Sequence, residues 1–119
     1  MLIKKLSEVE WTNSSHIGVQ KKICFDSMET ISNVTQVAYT ELKRGEYVNI
    51  HTHNTMEEFF IILEGKLEFV INKEYLVAEK DSIIRIAPNT KHSLKANIDC
   101  KFYYWGGVNL NCKFNYVSK

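Results

Sequence analysis

Short runs of β-branched and aromatic residues, each followed by turn residues, recur along this chain from Ile17 onward. The clearest runs cover residues 35–42, 56–63 and 99–108. No stretch of the sequence has the apolar period of a long amphipathic helix. Many short strands joined by tight turns predict an all-β fold, either a closed antiparallel barrel or a sandwich.

Composition predicts one domain without a large charged surface. The chain has 119 residues, 45% of them hydrophobic, and a net charge of +1. We therefore expect no nucleic-acid partner, and no segment reaches the ~18 apolar residues of a membrane span. Three cysteines without a CxxC spacing predict no disulfide framework and a cytoplasmic location. Paired basic residues, among them Lys21 and Lys22, are interpreted as solvated faces.

The pair His51 and His53 carries the most specific chemical signal. Imidazole and carboxylate groups bind divalent transition metals, and the carboxylates of Glu57 and Glu58 follow the pair closely. Side chains at positions i and i+2 point to the same face of a strand but to nearly opposite sides of a helix. The two histidines can therefore share one metal ion only if their segment is extended.

The strand predicted to carry these histidines has a reversed alternation. Its polar positions share one face and its apolar positions the other: Tyr47, Asn49, His51 and His53 against Val48, Ile50 and Thr52. In an ordinary half-buried strand the apolar face marks the core. If the polar face met water it would be only a surface. If it lined a cavity inside the barrel, it would be a binding site.

The segment from Gly45 to Gly65 resembles the first motif of the cupin family, G-x5-H-x-H-x(3,4)-E-x6-G. Every fixed position of that motif is matched. The family's interval to Gly65 selects Glu58 over Glu57, whereas strand alternation does not choose between them.

A second and weaker resemblance covers residues 80–92. Lys80 replaces the usual glycine, Ala87 stands where the first proline is common, and Asn89 stands where glycine is common. Asn89 can still adopt the left-handed backbone that glycine provides. Ala96 occupies the place of the motif's asparagine, a departure that removes no metal ligand.

The resemblance extends over about residues 35–105 and is closest to small single-domain, RmlC-like cupins of the cupin 2 kind. It implies a jelly roll, also called a double-stranded β-helix. Residues 1–34 would then add N-terminal strands and loops that pack on the barrel. Residues 35–105 would form the barrel core, and residues 106–119 would add a C-terminal strand to the same domain.

The family resemblance also implies one metal ion, with four ligands: His51, His53, Glu58 and His92. Three neutral imidazoles and one carboxylate suit Fe(II), Mn(II), Ni(II), Cu(II) or Zn(II). Such a set leaves one or two coordination positions open for a ligand.

Cupins include dioxygenases, sugar-phosphate isomerases, decarboxylases, storage proteins and ligand-sensing modules, so the fold alone does not fix a reaction. Our first hypothesis is a metal-dependent enzyme, of the isomerase, epimerase or dioxygenase type, that acts on a small polar metabolite. Four side chains are candidates for lining its substrate pocket: Tyr47, Asn49, Phe60 and Ile62. Arg85 is a weaker candidate for pairing with a substrate anion, and His16 is interpreted as a loop or surface histidine.

Two other readings stay open. The chain could be a non-catalytic module that binds a small molecule or a metal and acts through a dimer or a partner protein. It could also be a subunit whose barrel mainly dimerises. Aromatic residues are enriched at interfaces, so the aromatic run at residues 102–105 and the C-terminal strand predict a homodimer contact.

Overall fold

The computed structural model describes residues 3–109, which form ten strands and one short 3₁₀ helix. In chain order these are the 3₁₀ helix Leu6–Glu8, then β1 Trp11–Asn13, β2 Gln20–Phe25, β3 Val34–Leu42, β4 Tyr47–His51, β5 Glu57–Glu64, β6 Lys66–Ile71, β7 Glu74–Glu79, β8 Ile83–Ile86, β9 His92–Ala96 and β10 Cys100–Gly107. The prediction of an all-β fold is confirmed.

The strands form two antiparallel sheets. The larger has the order β1-β2-β3-β10-β5-β8, and the smaller has the order β4-β9-β6-β7. Strands that follow one another in sequence often lie in different sheets, as β4 and β5 do, which is the arrangement of a jelly roll. Buried side chains of both sheets make one apolar core, whose largest fully buried members include Leu42, Ile62, Leu67 and Phe69.

β5 follows a strict two-residue alternation. Glu58, Phe60 and Ile62 are buried on its inner face, while Phe59 and Ile61 on the other face are half-buried. The sequence predicts a strand buried on both faces here, so the outer face is more accessible than expected. β5 pairs with β10 on one side and β8 on the other, and this double pairing fixes which side chains point inward.

The turn between β5 and β6 depends on a glycine. Gly65 has a φ of +88°, a left-handed conformation that L side chains rarely adopt. A Cβ atom there would lie 2.4 Å from the backbone oxygen of Asp99 and 2.8 Å from Sγ of Cys100. A side chain at this position would therefore force the turn or the start of β10 to shift.

β4 lies at an edge of the smaller sheet and does not keep the predicted alternation. Val48 pairs with Leu94 and His51 pairs with His92, so three steps along β4 oppose two along β9. This extra residue is a β-bulge, and it brings both Val48 and His51 to the inner side.

The predicted face shared by Tyr47, Asn49 and His51 is therefore wrong. Val48 is buried, whereas Tyr47 is 58% exposed and Asn49 is exposed as well. The bulge between Val48 and His51 separates the outward side chains at the start of β4 from the inward histidine at its end.

The N-terminal strands β1 and β2 extend the larger sheet beyond β3. The predicted C-terminal strand falls almost entirely on residues 110–119, outside the described part of the chain, so the division at residues 34 and 105 stays a prediction. Within residues 3–109 no helix is long and apolar enough to cross a membrane.

Candidate metal centre

Four side chains converge at one end of the core: His51, His53, Glu58 and His92. Each offers one ligand atom, and these four atoms all lie within 4.8 Å of one another. Nε2 of His92 lies 3.3 Å from Oε1 of Glu58, and Nε2 of His53 lies 3.8 Å from Oε2 of the same carboxylate. Ligands at the usual ~2.0–2.2 Å from one ion are separated by about 3–4 Å, so the separations of 3.3 and 3.8 Å are those of neighbouring ligands on a single ion.

Both sheets contribute to this cluster. His51 and His92 face each other as register partners on β4 and β9 of the smaller sheet. Glu58 reaches the same point from β5 of the larger sheet. His53 lies in the loop between β4 and β5, where its carbonyl accepts a hydrogen bond of 2.8 Å from the backbone N–H of Asn89.

The residue that makes this last contact has an uncommon backbone conformation. Asn89 has a φ of +60°, in the left-handed region, as its place in the second motif predicts. It follows the only proline of the chain, Pro88, in the bend that precedes β9. Through this hydrogen bond, the bend of the second cupin motif positions the loop that carries His53 of the first motif.

Hydrogen bonds to backbone carbonyls orient two of the imidazole rings. Nδ1 of His51 lies 2.7 Å from the carbonyl of Asn49, and Nδ1 of His92 lies 2.8 Å from the carbonyl of Thr90. A carbonyl only accepts, so each Nδ1 donates its hydrogen and each Nε2 is left with a lone pair. This is the arrangement that metal-binding histidines usually have.

The inner nitrogen of His92 shows that a cation fits the cluster. Nε2 of His92 is buried and makes no hydrogen bond of acceptable geometry. A buried polar atom of this kind needs a partner. A divalent ion between this nitrogen and the Glu58 carboxylate would satisfy both groups, so the donor set is suited to a transition metal.

Burial and neighbouring charge act in opposite directions on the histidines. Burial lowers the pKa of His51, and the nearby His92 lowers it further, against a raising contribution from the Asn49 carbonyl. Burial also lowers the pKa of His92, but the Glu58 carboxylate and the Thr90 carbonyl outweigh that effect and leave it above its ordinary value. The carboxylate therefore attracts positive charge to His92, and a metal ion would supply that charge in place of a proton.

The cluster opens into a cavity of about 320 Å³ between the two sheets. This volume lies near the lower end of the about 300–1,000 Å³ that small-molecule sites span. Much of its wall is apolar, from Val48, Phe60, Leu94 and Phe102. Polar side chains also line it, among them Lys21, Gln36, Thr40 and Tyr104.

The structure separates the predicted pocket residues. Phe60 lines the cavity, whereas Ile62 is fully buried deeper in the core. Tyr47 and Asn49 lie instead beside a shallow hollow on the outer face of the smaller sheet. The prediction that these two residues line the metal-site cavity is therefore wrong, and the bulge in β4 is the reason.

The two neighbouring glutamates have different surroundings. Glu58 points into the core, as the family interval predicts. Glu57 points outward and forms an ion pair with Arg85 across β5 and β8. Arg85 thus belongs to the outer surface, and the hypothesis that it contacts a ligand in the cavity is not supported.

Two residues that the sequence predicts at the surface line the cavity instead. His16 lines the cavity, and the centroid of its ring lies 4.6 Å from that of His51. It comes from the loop between β1 and β2, and its distance along the chain from His51 gives no signal of the contact. Burial is the main reason that the pKa of His16 is lowered, followed by the positive charge of His51.

Lys21 is the second residue that was predicted at the surface. It is only 5% exposed and lines the cavity, so the interpretation of Lys21 and Lys22 as a solvated pair is wrong for Lys21. A signal was present: Lys21 follows Val19 by two residues, and side chains two apart share one face of a strand.

Known structures with diverse names share this fold. A predicted oxalate decarboxylase from Thermotoga maritima matches with a TM-score of 0.83 at 18% identity, over 91% of this chain and 100% of that chain. An RmlC-like cupin from Shewanella frigidimarina matches with a TM-score of 0.77 at 9% identity, over 92% and 93%. Ectoine synthase from P. lautus matches with a TM-score of 0.77 at 15% identity, over 92% and 80%. At such identities the likeness shows the fold alone.

Among curated proteins no sequence matches this chain. The family model of the cupin domain, Cupin_2, matches residues 38–105, more than half of the 119 residues. The matched segment contains all four residues of the metal-ligand cluster. This chain therefore belongs to the cupin family.

Proposed function

We propose that this cupin is a metal-dependent enzyme that acts on a small polar metabolite, with proton transfer, as in an isomerase or epimerase, as its chemistry. The observation that carries the proposal is the cluster of three imidazoles and one carboxylate, whose ligand atoms lie within 4.8 Å of one another at the wall of a cavity of about 320 Å³. A cavity of this size accepts a metabolite rather than a polymer.

His51, His53, Glu58 and His92 would hold one divalent transition ion. When bound, such an ion acts as a Lewis acid that polarises a carbonyl or hydroxyl group. Three neutral nitrogen ligands and one carboxylate oxygen are compatible with Fe(II), Mn(II), Ni(II), Cu(II) and Zn(II).

Two further side chains favour proton transfer over oxygen chemistry. The His16 ring lies beside the metal cluster, and imidazole is the commonest general acid–base group in enzymes. Tyr104 lines the same cavity, and burial is the main reason that its pKa is raised, so its hydroxyl group keeps its hydrogen. His16 would exchange a proton with the ligand, while Tyr104 would donate a hydrogen bond to one of its oxygens.

A dimer and a cytoplasmic location complete the proposal. On the outer face of the larger sheet, Trp105 stacks on Phe59 with ring centroids 5.5 Å apart, and Tyr103 contacts Tyr39. Phe59, Tyr103 and Trp105 are half-buried, whereas Tyr39 is buried. The three half-buried rings support a homodimer contact, which the mass in solution would test by light scattering. Both cysteines in the described part of the chain are buried free thiols, which supports a reducing compartment.

The adjacent glutamates provide a matched test of the metal site. Glu58→Gln removes a proposed ligand, whereas Glu57→Gln changes the neighbouring carboxylate on the outer surface. We expect Glu58→Gln to weaken metal binding by more than the about 10–100-fold loss caused by removing a supporting residue. Glu57→Gln should bind metal like the wild type. Equal metal content in the wild type and in Glu58→Gln, measured by elemental analysis, would contradict the assignment.

Catalysis is tested separately from binding. The metal-loaded protein would be incubated in D₂O with panels of hydroxy acids, 2-oxo acids and sugars, and solvent deuterium at carbon would be followed by NMR. Metal-dependent incorporation supports proton transfer. Oxygen consumption without deuterium incorporation would instead favour the dioxygenase type. Ligand binding with neither signal would favour the non-catalytic binding module.

A further inference from the structure

The polar end of the cavity contains an ammonium group that the metal centre does not use. Among the described residues that line the cavity, Lys21 is the only lysine or arginine. It is 5% exposed on β2, so its charge is directed into the protein rather than into solvent. Lysine side chains are mostly exposed in proteins, so a buried lysine at the wall of a cavity is informative.

Gln36 places a second hydrogen-bond donor beside the ammonium group of Lys21. Nζ of Lys21 donates to Oε1 of Gln36 at 3.1 Å. Because the amide oxygen of Gln36 accepts this bond, its NH₂ group is left to donate to a ligand. The Thr40 hydroxyl donates to the carbonyl of Gln20 at 3.1 Å and is therefore engaged with the protein.

The charge of this end changes when a metal is present. Burial lowers the pKa of Lys21, and the Glu58 carboxylate partly offsets that effect. A divalent ion bound to Glu58 would more than neutralise the only negative side chain that lines the described part of the cavity. The loaded cavity would then have an excess of positive charge, and an anionic ligand would balance it.

We propose that Lys21 and Gln36 bind a carboxylate, so that the ligand of this site is a small acid with a carboxylate at one end and oxygen atoms for the metal at the other. A single ammonium with one amide suits a carboxylate better than a phosphate, which proteins usually hold with several backbone N–H groups or an arginine. The cavity volume of about 320 Å³ is sufficient for a small acid of this kind. The inference rests on the proposed function, since it names the substrate class of the same site.

The test compares diacids with their half-amides. Calorimetric titrations would use malonate, succinate, glutarate and adipate, each beside its own monoamide, with Zn(II)-loaded and metal-free protein. Each monoamide keeps one carboxylate for the metal and lacks only the second charge. We expect at least one diacid to bind the wild type about tenfold or more tightly than its monoamide, as for a close charge pair away from solvent.

Two lysines next to each other supply the control. Lys21→Met should bring the diacid-to-monoamide ratio close to one without changing metal content. Lys22→Met should keep the ratio, because the Lys22 ammonium donates to the carbonyl of Leu6 and lies over the ring of Trp11, away from the cavity. A lysine with a purely structural role would alter stability in Lys21→Met but would leave this ratio unchanged.

A second variant covers the case in which Lys21→Met does not fold. Gln36→Glu keeps Lys21 but places a carboxylate beside its ammonium, and it should also lower the ratio. No preference for any diacid in metal-loaded wild type, or a preference that survives both substitutions, would overturn the proposal. Absence of metal binding would contradict the proposed function instead. In that case a Lys21-dependent preference in the metal-free titrations would still support the carboxylate subsite, and its absence would reject it.

Discussion

β4 and β5 lead to the same metal cluster, yet only β5 follows a simple alternation. β5 is paired on both sides and keeps Glu58, Phe60 and Ile62 on its inner face without interruption. β4 is an edge strand with a bulge between Val48 and His51. Two neighbours fix the inward face of β5 as far as Ile62, beyond which its register against β10 shifts at the end of the strand. An edge strand such as β4 can take up an extra residue beside the site and so re-aim one side chain.

The largest expected difference between the two strands is in stability. Ile62→Ala on β5 would leave a cavity at a position with 0% exposure, and we expect a loss of about 4 kcal/mol in the free energy of unfolding. Ile50→Ala on β4 changes a side chain that is 64% exposed, and its effect should stay within about 0.5 kcal/mol. Urea denaturation of both variants measures the difference. Similar losses would show that β4 is packed like a central strand.

Replacing the glycine before β4 and the glycine after β5 should also destabilise the protein to different extents. Gly65→Ala adds a clash with Asp99 to the cost of a left-handed backbone, and we expect a loss of about 3 kcal/mol. Gly45 has a similar φ of +87°, but no atom lies within 4 Å of an added Cβ. Gly45→Ala should therefore cost only the backbone strain, about 1–2 kcal/mol. Thermal unfolding would check this order, and equal losses would mean that the contact at Gly65 relaxes freely.

Titration of the metal-free protein should distinguish His51 from His92, although the two are register partners. Burial lowers the pKa of His51, whereas Glu58 on β5 is a main reason that the pKa of His92 stays raised despite burial. The two rings should titrate below and above the ordinary value of about 6.5, and Glu58→Gln should lower the pKa of His92. NMR of the imidazole protons measures both midpoints. Equal midpoints would contradict the contact with Glu58.

The direction of the stability effect follows from these shifts. A raised pKa means that His92 binds its proton more strongly in the folded state than in the unfolded state. The His92–Glu58 contact therefore stabilises the metal-free fold at acid pH, and this contribution is lost as pH rises through the raised pKa. His51 acts with the opposite sign, because its lowered pKa favours unfolding as pH falls through its unfolded value.

The smallest expected effects concern the outward residues of β4. Tyr47→Phe and Asn49→Ala change side chains beside the outer hollow, so ligand affinity at the metal centre should stay within about twofold, roughly 0.4 kcal/mol. Titration of the metal-loaded variants with the preferred diacid provides the measurement. A larger loss would show that the bulge does not isolate the outer face of β4 from the cavity.

The sequence predicts the strands and the metal cluster because both depend on local patterns. Runs of β-branched and aromatic residues mark β3, β5 and β10, and motif intervals identify Glu58 and His92 across more than thirty residues. The bulge in β4 is not predictable in this way, because it arises from pairing with β9 and leaves the residue types unchanged.

Long-range placement explains the other errors. His16 reaches the cavity only because the loop between β1 and β2 lies against the end of β4, and no local pattern encodes that approach. Lys21 lies on the apolar face of β2, but lysine side chains are usually exposed, so its residue type predicts a surface position. In both cases the fold places a polar residue where its charge or lone pair faces the cavity.

The cluster draws on both sheets, and this has a consequence for the mechanics of the fold. His51 and His92 belong to the smaller sheet and Glu58 to the larger one, so an ion bound by these residues would link the two sheets. Separating the layers would then require breaking metal–ligand bonds as well as exposing the core. The affinity for the ion would add to the resistance of the whole barrel to unfolding, and loss of the ion would loosen the barrel at the end where ligands enter.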